Sequence, residues 1–218
     1  MSYRLQSLET PIVPTLPTPG SRYDERTADQ HNGLLRNFML KLSSILRAVL
    51  GPNGGQYIDC PNGLFFNTTD QTLAAIDTAT PVEFPTTYLS NAVEVNAGTE
   101  SRIYVTVSGV YNFQFSGQLR SGSSSAKQIY VWIVRNGTNI GYSTHQYTLS
   151  GSNQHLNIAW NFNLDMQAGD YLEMEWAADS TDVTMEATAA TSPHPGISSA
   201  VMAVNFIAPL PSVIPTPP

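Results

Sequence analysis

The chain is poor in charge. Only 12% of its 218 residues are Asp, Glu, Lys or Arg, about half the roughly 25% usual in globular domains. The balance is acidic, with a formal net charge of −7 and a pI near 4.9. Binding to a phosphate backbone needs clustered Lys and Arg, so nucleic acid is not expected as a partner. Cysteine is almost absent: Cys60 stands alone, which rules out an intrachain disulfide and any site built from several thiolates. No apolar run approaches the roughly 18 residues that a membrane helix needs, so no membrane insertion is expected. The opening residues Met1-Ser2-Tyr3-Arg4-Leu5-Gln6 do not read as a secretory signal, and synthesis in the cytoplasm is the expectation.

Catalytic motifs are missing as well. The sequence has no His-Glu-x-x-His, no Gly-x-Ser-x-Gly, no phosphate loop and no Gly-x-Gly-x-x-Gly; Gly54-Gly55 lacks the following Lys. His31, His145, His155 and His194 show no short spacing of the kind metal ligands use and read as surface residues. No enzyme activity, cofactor or metal is expected. The one group that invites chemistry is acidic. Glu173 and Glu175 project from one strand face near Asp170, Asp179 and Asp182, and paired carboxylates can cleave glycosides or hold Ca²⁺. A solvated outer face is the preferred reading, with a Ca²⁺ site near Glu173 and Glu175 as the alternative.

What the sequence does have is Pro at both ends, one amphipathic stretch and a long region of period two. Pro11, Pro14, Pro17 and Pro19 block helix and sheet pairing, so residues 1–23 are expected to form an extended arm. Residues 209–218 form a similar tail, with Pro209, Pro211, Pro215, Pro217 and Pro218. Between them lie a helical segment over residues 24–55 and a β domain over residues 56–208.

In the helical segment Leu35, Phe38, Leu42, Ile45 and Val49 follow the 3-4 spacing of a coiled-coil seam. Leu34, Met39, Leu46 and Leu50 widen the stripe. Thr27 or Asp29 could cap the start, and Gly51-Pro52 with Asn53-Gly54-Gly55 would end the helix. The stripe can pack on the chain's own β domain or on other chains. The second is favoured, because no second helix exists to cover it, and these five residues are the expected oligomerisation and anchoring site.

From about Tyr57 onward the apolar period is two. The clearest strand is His155 to Leu164, where Leu156, Ile158, Trp160, Phe162 and Leu164 alternate with Asn157, Ala159, Asn161 and Asn163. Tyr111, Phe113 and Phe115 alternate in the same way, as do Leu172, Met174 and Trp176, and these sets are the expected core. Further strands are expected near 88–95, 102–107, 128–134, 182–187 and 200–207, separated by Gly- and Asn-rich turns. The run Ile129 to Val134 is apolar at nearly every position, which predicts cover on both faces. Eight to ten short strands without intervening helices point to an antiparallel β-sandwich.

Gly109-Val110-Tyr111-Asn112-Phe113-Gln114-Phe115 resembles the Gly-x-Tyr-x-Phe strand of the C1q and tumour-necrosis-factor superfamily of jelly rolls. Thr80-Pro81-Val82-Glu83-Phe84, Ala168-Gly169-Asp170-Tyr171-Leu172 and the stretch from Ser199 to Phe206 resemble other strands and turns of that family. Phe66-Asn67-Thr68-Thr69-Asp70-Gln71-Thr72, taken with Gly109 to Leu119, is similar to jelly-roll domains in structural proteins of tailed bacteriophages. The resemblance implies a mainly β, C1q/TNF-like jelly-roll sandwich that assembles as a homotrimer. It further implies a place in the virion, as a tail-associated fibre or knob. Other virion proteins would be met through the N-terminal region, and a host cell-surface glycan or protein through the distal domain. A capsid decoration or head fibre, and a carbohydrate-binding module, are the alternatives.

Overall fold

The computed structural model describes residues 13–16, 18, 22, 24–50 and 60–210, with side chains of the helix described to residue 46. Most of both Pro-rich ends and the Gly51–Gly55 stop signal lie outside the described residues. The chain divides into two units, Met1–Asp59 and Cys60–Pro218.

The first unit contains helix α1, Glu25–Leu50. Its cap is neither Thr27 nor Asp29 but Asp24. One Asp24 carboxyl oxygen accepts the Arg26 amide at 3.3 Å, and the other accepts the Thr27 amide at 3.3 Å and the Thr27 hydroxyl at 2.6 Å. The Thr27 hydroxyl, more than the amides, holds the Asp24 carboxyl below its ordinary pKa, as expected for an acceptor at a helix N-terminus.

The second unit is all β among the described residues. Its strands are β1 (Asn62–Asn67), β2 (Gln71–Thr72), β3 (Thr80–Pro81), β4 (Thr86–Asn91), β5 (Val93–Val95), β6 (Ile103–Val105) and β7 (Gly109–Ser121). They continue as β8 (Lys127–Arg135), β9 (Thr138–Asn139), β10 (His145–Leu149), β11 (His155–Met166), β12 (Tyr171–Ala178), β13 (Val183–Met185) and β14 (Ala200–Ala208). The stretch expected as one strand near 88–95 breaks at Ala92, whose φ of 54° interrupts the extended backbone. At the β8–β9 hairpin, Asn136 and Gly137 both have positive φ, the requirement of the tight turn that Asn-Gly supplies.

Two antiparallel sheets result. In sheet A the order is β2-β13-β7-β14-β1-β4, with β11 on the free side of β7. In sheet B it is β10-β8-β12-β6-β5, with β3 beside β12 and β9 beside β8. The chain passes back and forth between the sheets after β7, β10, β11 and β12, which gives a jelly-roll sandwich. Strand β7 is the longest and pairs with β11 from Gly109 to Arg120.

The core lies between the sheets. Tyr111, Phe113, Phe115, Ile158, Leu172, Met174 and Trp176 are buried in it with Phe65, Phe84 and Ile103. The buried Tyr111 hydroxyl donates to the Val107 carbonyl at 2.6 Å, so the polar tip is not left without a partner, and burial raises its pKa. Gly109 is required where it stands, because a side chain there would run into the Phe206 ring. Leu156, Trp160, Phe162 and Leu164 are only partly buried against the core. The reason is topological: β11 is the edge strand of sheet A, with β7 its single neighbour.

The double cover expected for β8 is not what the structure has. Ile129, Val131 and Ile133 face the core, while Tyr130 and Trp132 on the outer face stay half-exposed and only Val134 there is buried. Replacing Phe113 by Ala removes a fully buried ring and should cost about 3–5 kcal/mol. The check is a urea midpoint that falls while the slope is unchanged.

Candidate functional site

Three places could carry function: the acidic strand of sheet B, the outer face of sheet A and the seam of α1.

The acidic strand is β12, whose outward residues include Glu173 and Glu175. Glu173 is not solvated, as the preferred reading of the sequence had it, but only 8% exposed. One of its carboxyl oxygens accepts the Ser101 hydroxyl at 2.7 Å and the Arg102 Nε at 3.2 Å. Arg102 also lies over the Tyr171 ring, 4.6 Å from its centroid. Glu175 sits across from Trp132 on β8. Burial first, and the neighbouring Glu173 second, push its pKa up.

The other carboxylates hold protein groups of their own. Asp170 accepts the Gln167 amide at 2.7 Å and the Asn136 side chain at 2.7 Å, and Asp179 accepts the Gln128 amide at 3.1 Å. Asp182 accepts the Ser180 hydroxyl at 3.1 Å. Among the described residues no group of three or more His, Cys, Asp or Glu side chains comes together as metal ligands would.

Because Glu175 has a raised folded-state pKa, its favourable contribution is present at low pH and is lost as pH rises through that value. Glu175→Gln should therefore gain stability relative to the parent between pH 4 and pH 7, where the carboxylate ionises. Urea midpoints measured at both pH values provide the check.

The outer face of sheet A is different in kind. Cross-strand register places Leu89, Leu64, Ala203, Gln114 and Asn161 in one row over five strands. Beside it runs Thr86, Phe66, Val201, Ser116 and Ala159, and on the other side Asn91, Asn62, Asn205, Asn112 and Asn163. Not one of these residues is charged. The asparagines interlock, with the Asn112 amide donating to Asn163 Oδ1 at 2.8 Å and the Gln114 amide to Asn112 Oδ1 at 2.9 Å. Small side chains at Ser116, Ala159, Val201 and Ala203 leave a shallow depression of about 340 Å³ in the middle. This surface was not visible as a site in the sequence. Its signal is the polar, uncharged alternate positions, which have no meaning until the strands are in register.

At the edge of this face an aromatic series closes the gap between the sheets. His145 on β10 stacks on Trp160 of β11 with centroids 4.3 Å apart and planes 3° from parallel. Phe113 stacks on Phe162 at 5.5 Å. His155 meets Glu186 at 2.7 Å, and His194 is exposed.

On α1, Leu35, Phe38, Leu42 and Ile45 are each half-buried, and Leu34, Met39 and Leu46 on the flanks are exposed. The Val49 side chain lies outside the described residues. Pro14 of the N-terminal arm lines one open depression together with Leu34, Phe38 and Lys41. One residue that sequence reasoning set aside shares the burial of the seam: His31 is half-buried, while Asn32 and Gly33 beside it are exposed.

The class defined by these features is a mainly β, antiparallel jelly-roll sandwich with one helix. No protein-family model matches the sequence, and no curated protein matches it. Among solved structures, the globular domain of the zebrafish complement 1qA protein is similar, with a TM-score of 0.46 at 15% sequence identity. That match covers 69% of this chain and 99% of that chain.

Proposed function

We propose that this chain is a non-enzymatic structural protein of a tailed-bacteriophage virion, working as a homotrimer that forms a tail-associated fibre or knob. The observation that carries self-association is the set of three uncharged rows at the centre of the outer face of sheet A. Three rows that span five strands without a charge, bounded by the Arg120–Glu186 pair at one end and Asp165 at the other, match the composition of interface cores, which are depleted of charged residues. The small-residue depression at its centre permits close approach of another sheet or edge.

The virion setting is supported by the likeness of Phe66 to Thr72 and Gly109 to Leu119 to phage jelly rolls. In this reading the arm and α1 hold the chain to its sister chains and attach the trimer to other virion proteins. A capsid decoration or head fibre is the alternative placement, and copy number per particle separates the two. Host-surface contact, with a glycan or a protein, is the outward task. It is supported by Tyr142, a fully exposed aromatic at a loop position with φ of 61°, a conformation that is costly for a bulky residue.

Ala203→Glu combined with Ala159→Arg places charges in the depression without touching the core. In a chain lacking residues 1–55, and so lacking α1, the double variant should sediment as a monomer at concentrations where the truncated parent is a trimer, with its β-sheet circular dichroism unchanged; a variant that stays trimeric would remove sheet A from the interface. Separately, a chain lacking residues 1–55 should remain soluble and folded yet be missing from purified particles by mass spectrometry.

A further inference from the structure

The apolar seam of α1 does not begin at Leu35. The three-residue step from Leu35 to Phe38 and from Leu42 to Ile45 makes Leu35, Leu42 and Val49 the a positions of a heptad and Phe38 and Ile45 the d positions. Counting back, His31 is the preceding d and Ala28 the preceding a. The structure follows the same register. Ala28, His31, Leu35, Phe38, Leu42 and Ile45 are all half-buried, as is Thr27 in the first turn, whereas the positions from Asp29 to Gln30, Asn32 to Leu34, Arg36 to Asn37 and Met39 to Lys41 are exposed.

A single imidazole in an otherwise apolar seam is a costly choice unless the polar nitrogens are used. Leu42 at a with Ile45 at d is the pairing that favours three or four strands over two. Cyclic symmetry brings each copy of a residue to one level about the axis, so in a trimer three His31 side chains meet in one layer. Ala28, the next seam residue toward the N-terminus, is small and leaves room for a further ligand beside that layer. Three neutral imidazoles with an open fourth position are a donor set suited to Zn²⁺ and related divalent transition metals.

We infer that His31 and its two symmetry copies form a site for a divalent transition-metal ion on the threefold axis of the stalk, with one ion shared by three chains. The inference rests on the homotrimer reading above. Each chain would supply a single ligand. A bound ion would tie the three helices together at their N-terminal end, where the seam is otherwise least apolar.

The test uses the full-length chain, stripped of metal and then titrated with ZnCl₂. Sedimentation velocity reads the oligomer, calorimetry reads the stoichiometry and circular dichroism reads the helix melting midpoint. The expected result is a trimer that takes up one Zn²⁺ per three chains and melts several degrees higher. His31→Leu should keep the trimer, since it completes an apolar seam, and should lose both the bound ion and the shift. A trimer that takes up no Zn²⁺, one ion bound per chain, or binding that survives His31→Leu would overturn the site while leaving the trimer intact. A monomer with and without Zn²⁺ would overturn the homotrimer reading itself.

Discussion

The sandwich depends on strand β7. It is hydrogen-bonded to β11 on one side and to β14 and β13 on the other, and its alternate residues serve two different surfaces. Tyr111, Phe113, Phe115 and Leu119 point into the core and are almost fully buried. Asn112, Gln114, Ser116 and Gln118 point outward. A slip of one residue would exchange these sets and place amides in the core. The same alternation thus fixes the packing of the two sheets and the chemistry of the outer face of sheet A.

The two outer faces handle polarity in opposite ways. Sheet B carries carboxylates and pairs several of them locally, with Ser101 and Arg102 against Glu173 and backbone amides against Asp170 and Asp179, while burial and Glu173 push the pKa of the Glu175 carboxyl up. Sheet A carries amides, hydroxyls and small apolar groups and no charge over its three central rows. Charged groups are expensive to desolvate, whereas paired amides are cheap to bring against another protein. The three central rows of sheet A are therefore the surface on which a partner meets the least opposition.

The helical unit repeats this logic in another geometry. An apolar stripe of heptad spacing suits a partner of the same spacing, which in the proposed reading is a second copy of the chain. Leu34, Met39 and Leu46 remain exposed beside the half-buried seam, so the stripe is wider than its contacts within one chain.

Strands with one strong face were legible in the sequence, because the alternation in β7, β11 and β12 needs nothing beyond local order to be seen. The helix and its register were legible for the same reason. Tertiary structure alone decided which strands lie at an edge, and so why Trp160 and Phe162 are half-exposed while Phe113 and Phe115 are buried. It also set the state of Glu173, whose partners at Ser101 and Arg102 are distant in the chain. Asp24, not Thr27 or Asp29, became the cap because only the folded backbone turns its carboxylate toward the first amides. The short strands β2, β3 and β9 have too few residues to carry a period, and β10 mixes His145, Gln146 and Thr148 with Tyr147 and Leu149. Local patterns determine which way a side chain points along its own strand, but what it meets there depends on residues far away in sequence.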